Sequence, residues 1–237
     1  MERRSVVFDL FHTLVDPEAF RPKDHRRAEI VADMIGADPQ VFASYWTNAL
    51  PTRLTSSKTV LQFLEEYYLT QTGKRCPRDK LERADYELGR YQDIAILRPR
   101  ADVVTALQAL RSKGMKLGLL SNCDEREFRE WPHSLLAPLF DTVCPSYRIG
   151  YAKPSVRAYE IVLSTLETKA SWSVFVGDGG SGELEGAKEA GFGQVVFMKG
   201  FVSKNGLRTP RELASLQQTA DTSVDSLEEL VLLLELS

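Results

Sequence analysis

Residues 6–16 read Val6-Val7-Phe8-Asp9-Leu10-Phe11-His12-Thr13-Leu14-Val15-Asp16. Three apolar residues behind a charged start read as a short buried strand of a parallel sheet. The strand ends on a carboxylate, Asp9, at the position where open α/β sheets bind ligands. Burying that carboxylate costs free energy unless a cation or hydrogen-bond donors face it. The competing reading has Asp9 capping a turn or the next helix. This stretch alone leaves both readings open.

Working outward, Pro17 and Pro22 break the chain after the strand. Residues 24–93 then carry helical spacing and no strand pattern: Ala28, Ile30, Val31, Met34 and Ile35; Val41, Phe42, Tyr45 and Trp46; Val60, Leu61, Phe63, Leu64, Tyr67 and Tyr68; Leu81, Ala84, Leu88 and Tyr91. Pro39, Pro51, Gly73 and Pro77 punctuate the pattern. This predicts a small helical domain over 17–97, inserted into a core formed by 1–16 and 98–237, with Arg98-Pro99-Arg100 as the exit hinge.

Beyond the hinge, strands and helices alternate. Helices are expected at 101–113, at 156–166 and at 183–190, the last stopped by Gly191, with a short helical stretch around 126–139 broken by Pro132 and Pro138. Strands are expected at 116–120, 142–144, 173–176, 194–198 and 221–223. Residues 200–219 read as a polar loop with a helical piece at 211–217, and a final helix follows Asp225. The alternation predicts an α/β fold with a doubly wound parallel sheet.

Composition sets limits on function. The chain has 237 residues, 43% of them hydrophobic, enough for a packed core. With 30 basic against 33 acidic residues there is no basic excess for nucleic acid and no polybasic tail for anionic lipid. Residues 1–4 and the three apolar residues after Ser5 are too short for a signal peptide. The late apolar run 230–234 lies between Glu229 and Glu235, far short of the ~20 residues needed to span a bilayer. Cys76, Cys123 and Cys144 show neither CxxC nor zinc spacing, which suits a reducing cytoplasm.

The loops after four expected strands carry complementary groups. Asp9 follows the first; Ser121 and Asn122 bring a hydroxyl and an amide; Lys153 brings an ammonium; Asp178 and Glu183 are acidic. Singly, these read as caps, turn residues and solvated charges. Together at the C-terminal ends of strands they describe an anion site beside a cation site. Three carboxylates in one crevice need a divalent cation, and hard oxygen ligands point to Mg2+. Ser121, Lys153 and free N–H groups at helix starts would hold a phosphate. Gly177, Gly179 and Gly182 also spell the dinucleotide G-x-G-x-x-G. However, the following strand does not end in the ribose-binding acid, and Asp178 would repel a pyrophosphate.

The ordered set DxFHTL, LLSN, KP and GDGGSGELEGA resembles the four motifs of the haloacid dehalogenase (HAD) superfamily of hydrolases, over nearly the whole chain. The helical insertion resembles that family's C1-type cap. The resemblance implies a Rossmann-like core with Asp9 as nucleophile, forming an aspartyl intermediate. It implies that Ser121, with the backbone near Asn122, binds the transferring group, and that Lys153 neutralises its charge and orients Asp9. Asp178, less directly Glu183, and the backbone carbonyl of Phe11 would join Asp9 around Mg2+. The chemistry agrees: a carboxylate nucleophile divides one displacement into two, and metal and lysine stabilise phosphoryl charge.

Three positions depart from the common pattern. Phe11 stands where family phosphatases carry a second aspartate as general acid/base, with His12 the nearest titratable neighbour. Glu183 replaces an aspartate. Arg148 stands where relatives often carry an acid, and nothing in the sequence explains it. The 2-haloacid dehalogenases also lack the second aspartate, need no metal, and carry a Ser-Ser-Asn-like fourth motif in place of Gly-Asp. Asp178 and Glu183 therefore favour phosphoryl transfer over dehalogenation. A non-catalytic ligand-binding protein is the third alternative, opposed by Asp9, Ser121, Lys153 and Asp178. The expectation is a cytoplasmic Mg2+-dependent hydrolase acting on a small phosphorylated metabolite, with no nucleic-acid or membrane partner.

Overall fold

The computed structural model describes residues 5–235; residues 1–4, where no signal peptide is expected, lie outside the described residues. Six parallel strands form one sheet in the order β3-β2-β1-β4-β5-β6. They are β1 (Ser5–Phe8), β2 (Lys116–Ser121), β3 (Thr142–Pro145), β4 (Ser173–Gly177), β5 (Gln194–Met198) and β6 (Thr222–Val224). The strand order reverses between β1 and β4, so the crevice at their C-terminal ends is the topological switch point.

β1 lies between β2 and β4 and is buried along its whole length. Its period of two divides the core. Val6 and Phe8 join the apolar layer under α6 (Ala101–Ser112) and α12 (Leu227–Glu235). Val7 joins the opposite layer, with Tyr159, Phe175 and Leu184, under α8 (Val156–Thr165) and α9 (Glu183–Glu189). Each such aliphatic or aromatic side chain contributes about 1.5–3 kcal/mol on burial.

Between β1 and α6 the chain forms α1 (Arg27–Ile35), α2 (Pro39–Asn48), α3 (Leu50–Thr55), α4 (Val60–Thr72) and α5 (Arg78–Leu97). Local chemistry sets their ends. Asp38 accepts from the N–H groups of Gln40 and Val41 ahead of Pro39. Thr59 and Gln62 form a capping box, and α4 stops at Gly73, φ +67°. Pro51 does not break the chain; it occupies the first turn of α3, where no intrahelical N–H is needed. The helices share an apolar cluster around Phe42, Trp46, Phe63, Leu64 and Tyr67.

Buried ion pairs tie these helices to the turns that follow β2. The Arg126 guanidinium, 3% exposed, reaches Asp93 and donates to the Asp85 carbonyl at 2.9 Å. Gly89 in α5 makes room for it: a Cβ there would lie 2.6 Å from Arg126 Cζ. Arg53 of α3 pairs with Asp124 and stacks over Trp46, 3.8 Å from the ring centroid. Removing one partner of such a buried pair costs about 3–5 kcal/mol.

Two stretches differ from the sequence expectation. Residues 126–139, expected as a short helical stretch broken by Pro132 and Pro138, form turns and two 3-10 turns, Trp131–His133 and Ala137–Leu139, each with one of those prolines in it and neither a full α-turn. The helical piece expected at 211–217 is α11 (Pro210–Thr219), but the polar loop expected before it contains a further helix, α10 (Gly200–Lys204). A short helix, α7 (Ser146–Ile149), opens the loop that leads to Lys153. Among the described residues, no helix is long and apolar enough to cross a membrane.

Candidate active site

The end of β1 is a compact loop. The N–H groups of Leu14 and Val15 both donate to the Leu10 carbonyl, and the His12 N–H donates to the Val15 carbonyl at 2.7 Å. His12 takes a left-handed φ of +61°, and its Nδ1 lies 3.8 Å from Asp16. Closing the loop in this way holds Asp9 against the sheet, 7% exposed, its N–H donating to the Val176 carbonyl on β4.

Lys153 is the hub of the site. Its Nζ donates to Asp9 Oδ1 and to Glu183 Oε2, both at 2.5 Å, while the residue is 4% exposed. Burial works against the ammonium charge, but Asp9 and Glu183 together more than offset it and keep the lysine protonated. Burial pushes the carboxyl groups of Asp9 and Glu183 upward, Lys153 opposes that rise, and Asp178 adds to it.

Asn122 explains why Lys153 stands where it does. Its Oδ1 accepts from the Lys153 N–H at 2.8 Å, and its Nδ2 donates to the Lys153 carbonyl at 2.9 Å. The side chain of Asn122 thus clips the loop after β3 to the end of β2. Ser121, the last residue of β2, is fully buried, and its Oγ has no hydrogen-bond partner among the described residues. An unpartnered buried hydroxyl next in the chain to Asn122, which holds Lys153, fits an anion that would accept from it.

After β4, Gly177 lets a carboxylate come close: a Cβ there would lie 2.2 Å from Glu183 Oε1. That oxygen accepts from the Gly179 N–H at 2.9 Å, and the Glu183 carbonyl accepts from the Tyr159 hydroxyl at 2.7 Å. Asp178 Oδ1 accepts from the Gly180 N–H at 3.0 Å, and Oδ2 from Arg208 Nη2 at 3.2 Å.

Asp9, Asp178 and Glu183 each bring a carboxylate oxygen within 4.8 Å of the other two. All three are buried, and Lys153 is the cation bound to two of them. Arg208 reaches the third, Asp178, but three carboxylates still exceed the charge of two cations, so the donor set fits a hard divalent cation. A cavity of about 120 Å³ lies here, lined by Asp9, Phe11, Asn122, Lys153, Asp178 and Glu183 among others. Six of the seven positions expected from the sequence line one cavity, and Ser121 sits at the end of the adjoining strand. Arg148 points elsewhere, donating to the Tyr147 hydroxyl at 3.1 Å. The sequence reading missed Arg208 and Tyr159. The Thr209-Pro210-Arg211-Glu212 capping signature could have fixed the start of the helix expected at 211–217 and so placed Arg208 just ahead of it.

Comparison with known proteins gives consistent results. The chain is 28% identical over 141 residues to a glyceraldehyde 3-phosphate phosphatase of Methanocaldococcus jannaschii, covering 58% of this chain and 57% of that protein. It is 26% identical over 160 residues to a ribulose-1,5-bisphosphate 5-phosphatase of Halopiger xanaduensis, covering 67% and 65%. The chain thus spans about half to two thirds of the length of the curated relatives it matches. Among solved structures, a HAD phosphatase from Thermococcus onnurineus matches with a TM-score of 0.62 at 20% identity, over 98% of this chain and 97% of that one. An L-2-haloacid dehalogenase from Xanthobacter autotrophicus matches with a TM-score of 0.58 at 20% identity, over 99% of each chain. Both structural likenesses speak for the fold. With the model of the haloacid dehalogenase-like hydrolases matching residues 4–191, the chain belongs to that family.

Proposed function

We propose that the protein is a Mg2+-dependent phosphatase of small phosphorylated metabolites. The reading is carried by one observation: Asp178 joins Asp9 and the Asp9–Lys153 pair in a single buried cluster. A halide-displacing enzyme has no use for that extra acid.

Asp9 would attack phosphorus, break the bond to the leaving oxygen and carry the phosphoryl group as an aspartyl phosphate. Water would then attack that phosphorus and regenerate the Asp9 carboxylate. Lys153 fixes the Asp9 oxygen at 2.5 Å and places positive charge beside the phosphoryl group. Ser121 Oγ, buried without a partner, would donate to a phosphoryl oxygen. Asn122 acts through its grip on the Lys153 backbone, and its own N–H neighbourhood would complete the phosphate cradle. Asp9, Asp178 and the Phe11 carbonyl would hold Mg2+, which supplies charge neutralisation for phosphoryl transfer. Glu183 would support the metal site from beside Lys153, since its two oxygens already serve Lys153 and the Gly179 N–H.

Residues 17–97 would act as a C1-type cap on a core of residues 1–16 and 98–237, choosing the substrate and excluding water on closure. The three cysteines are free and buried, which fits a reducing cytoplasm. The relatives named for sugar and triose phosphates support a small phosphate as substrate. Phe11, which cannot carry a proton, favours substrates whose leaving group needs none, and it keeps 2-haloacid hydrolysis as the second reading.

The test is a panel of metabolite phosphates and aryl phosphates, assayed with Mg2+ and with chelator, on wild type and Asp9→Asn. Phosphate release that needs Mg2+ and disappears in Asp9→Asn is expected. Chelator-resistant halide release from a 2-haloacid, without phosphate release, would replace this reading with the dehalogenase.

A further inference from the structure

The Asp178 loop has little stiffness of its own. Gly177, Gly179, Gly180 and Gly182 surround the residue, and Gly179, Ser181 and Gly182 take left-handed φ values of +82°, +55° and +64°. Glycine-rich backbone is conformationally permissive, so such a loop needs an outside support to hold a side chain in one place. The Gly180 N–H bonded to Asp178 Oδ1 belongs to the loop itself. The Arg208 guanidinium bonded to Oδ2 comes from elsewhere.

Arg208 is well placed to give that support. It directly precedes α11, whose start is fixed by a capping box: Thr209 Oγ1 accepts from the Glu212 N–H at 3.3 Å, and Glu212 Oε2 accepts from the Thr209 N–H at 2.7 Å. Pro210 presets the first helical φ. The same helix rests Leu216 on the loop so closely that a Cβ at Gly179 would lie 2.5 Å from Leu216 Cδ2. α11 and the residue before its N-cap therefore meet the loop at two points, Leu216 on the Gly179 backbone and Arg208 on the Asp178 carboxylate. Both contacts come from beyond residue 191, where the family match ends.

We propose that Arg208 is a positioning residue that orients the Asp178 carboxylate for metal binding, with α11 as its rigid mount. The proposal rests on the reading of Asp178 as a Mg2+ ligand. Two effects oppose each other. The guanidinium charge repels a nearby divalent cation, but its side chain is 28% exposed and that repulsion is screened by water. Fixing a ligating carboxylate by an outer hydrogen bond is typically worth about 10–100-fold in metal affinity. Orientation is the larger effect, so loss of Arg208 weakens binding.

The experiment is calorimetric titration of the full chain with Mg2+ alone, for wild type, Arg208→Ala, Arg208→Lys and Asp178→Ala, with the metal-free melting temperature of each. Arg208→Ala should bind Mg2+ roughly 10–100-fold more weakly at an unchanged melting temperature, as expected for a lost outer-sphere contact. Arg208→Lys should fall between the two, because an ammonium keeps the charge without the planar fork. Wild-type or tighter affinity in Arg208→Ala, while Asp178→Ala abolishes binding, would overturn the proposal and leave the metal reading intact. Wild-type affinity in Asp178→Ala would overturn both.

Discussion

Replacing Glu127 by glutamine should make the protein more stable above neutral pH and leave it unchanged in acid. Glu127 lies in the turns after β2, where they meet α5. Its carboxylate accepts from the Asp124 N–H at 3.3 Å and from Gln92 Nε2 at 3.4 Å, and its own N–H donates to Asp124 Oδ1 at 3.1 Å. Burial, and then the Asp124 carboxylate, push its pKa up from 4.5 to about 7, against the attraction of Arg27 and Arg53. A raised acid binds its proton more tightly folded than unfolded. Its contribution is therefore fully present below about pH 4.5 and is lost as pH rises through about 7. At about 1.4 kcal/mol per pKa unit, that rise corresponds to roughly 3 kcal/mol lost between acid and alkaline conditions. Glutamine mimics the protonated form and keeps an oxygen for the Asp124 N–H, so it should escape the loss. Urea unfolding at pH 5 and pH 8.5 measures the difference directly. Near-equality at pH 5 and a gain of roughly 2–3 kcal/mol for Glu127→Gln at pH 8.5 are expected. A difference that is the same at both values, or a less stable variant at pH 8.5, would refute the reasoning.

Two further outcomes follow from the site. Gly177→Ala puts a methyl group into the Glu183 carboxylate, which is pinned to Lys153 and Gly179 and cannot move without breaking a bond. It should cost about 1–3 kcal/mol in thermal unfolding and lower kcat, and an unchanged enzyme would show that the carboxylate relocates freely. Phe11→Asp should speed alkyl phosphates by up to roughly 10²–10⁴-fold and aryl phosphates far less, since only a basic alkoxide needs a proton on leaving. Equal acceleration of both, or a wild-type rate independent of leaving-group pKa with chemistry limiting, would mean another residue already donates, and His12 would be tested next.

The sheet, its parallel sense and the convergence of Asp9, Asn122, Lys153, Asp178 and Glu183 were legible because each signal is local. An apolar run is followed at once by the residue it delivers, and the sheet topology does the rest. What stayed hidden depends on distant neighbours. Arg208 is an ordinary surface arginine until a loop 30 residues earlier in the chain brings Asp178 to it. α10 was missed because its Phe201 and Val202 acquire a core only in three dimensions. α11, by contrast, was legible as the helical piece at 211–217, although it carries no fully buried residue. Glu183 was recognised as an acid of the site, but its bond to Lys153 depends on Gly177 leaving space, which residue type alone does not reveal.

β1 is central in space and first in the chain. Ser5 lies beside Lys116 on one flank and Ser173 on the other. During synthesis the first flank is complete only when residue 121 has emerged, and the second only after residue 177. At about 5–20 residues per second, Val6, Val7 and Phe8 wait roughly 10–30 s for a full set of neighbours. The five helices between, with an apolar cluster of their own, can collapse within that interval. The strand that carries Asp9 to its end therefore keeps an open edge long after the helices that follow it in the chain have emerged. Ribosomes stalled between residues 121 and 173 would hold a chain with ordered helices, one bare edge on its most apolar strand, and a strong need for a chaperone.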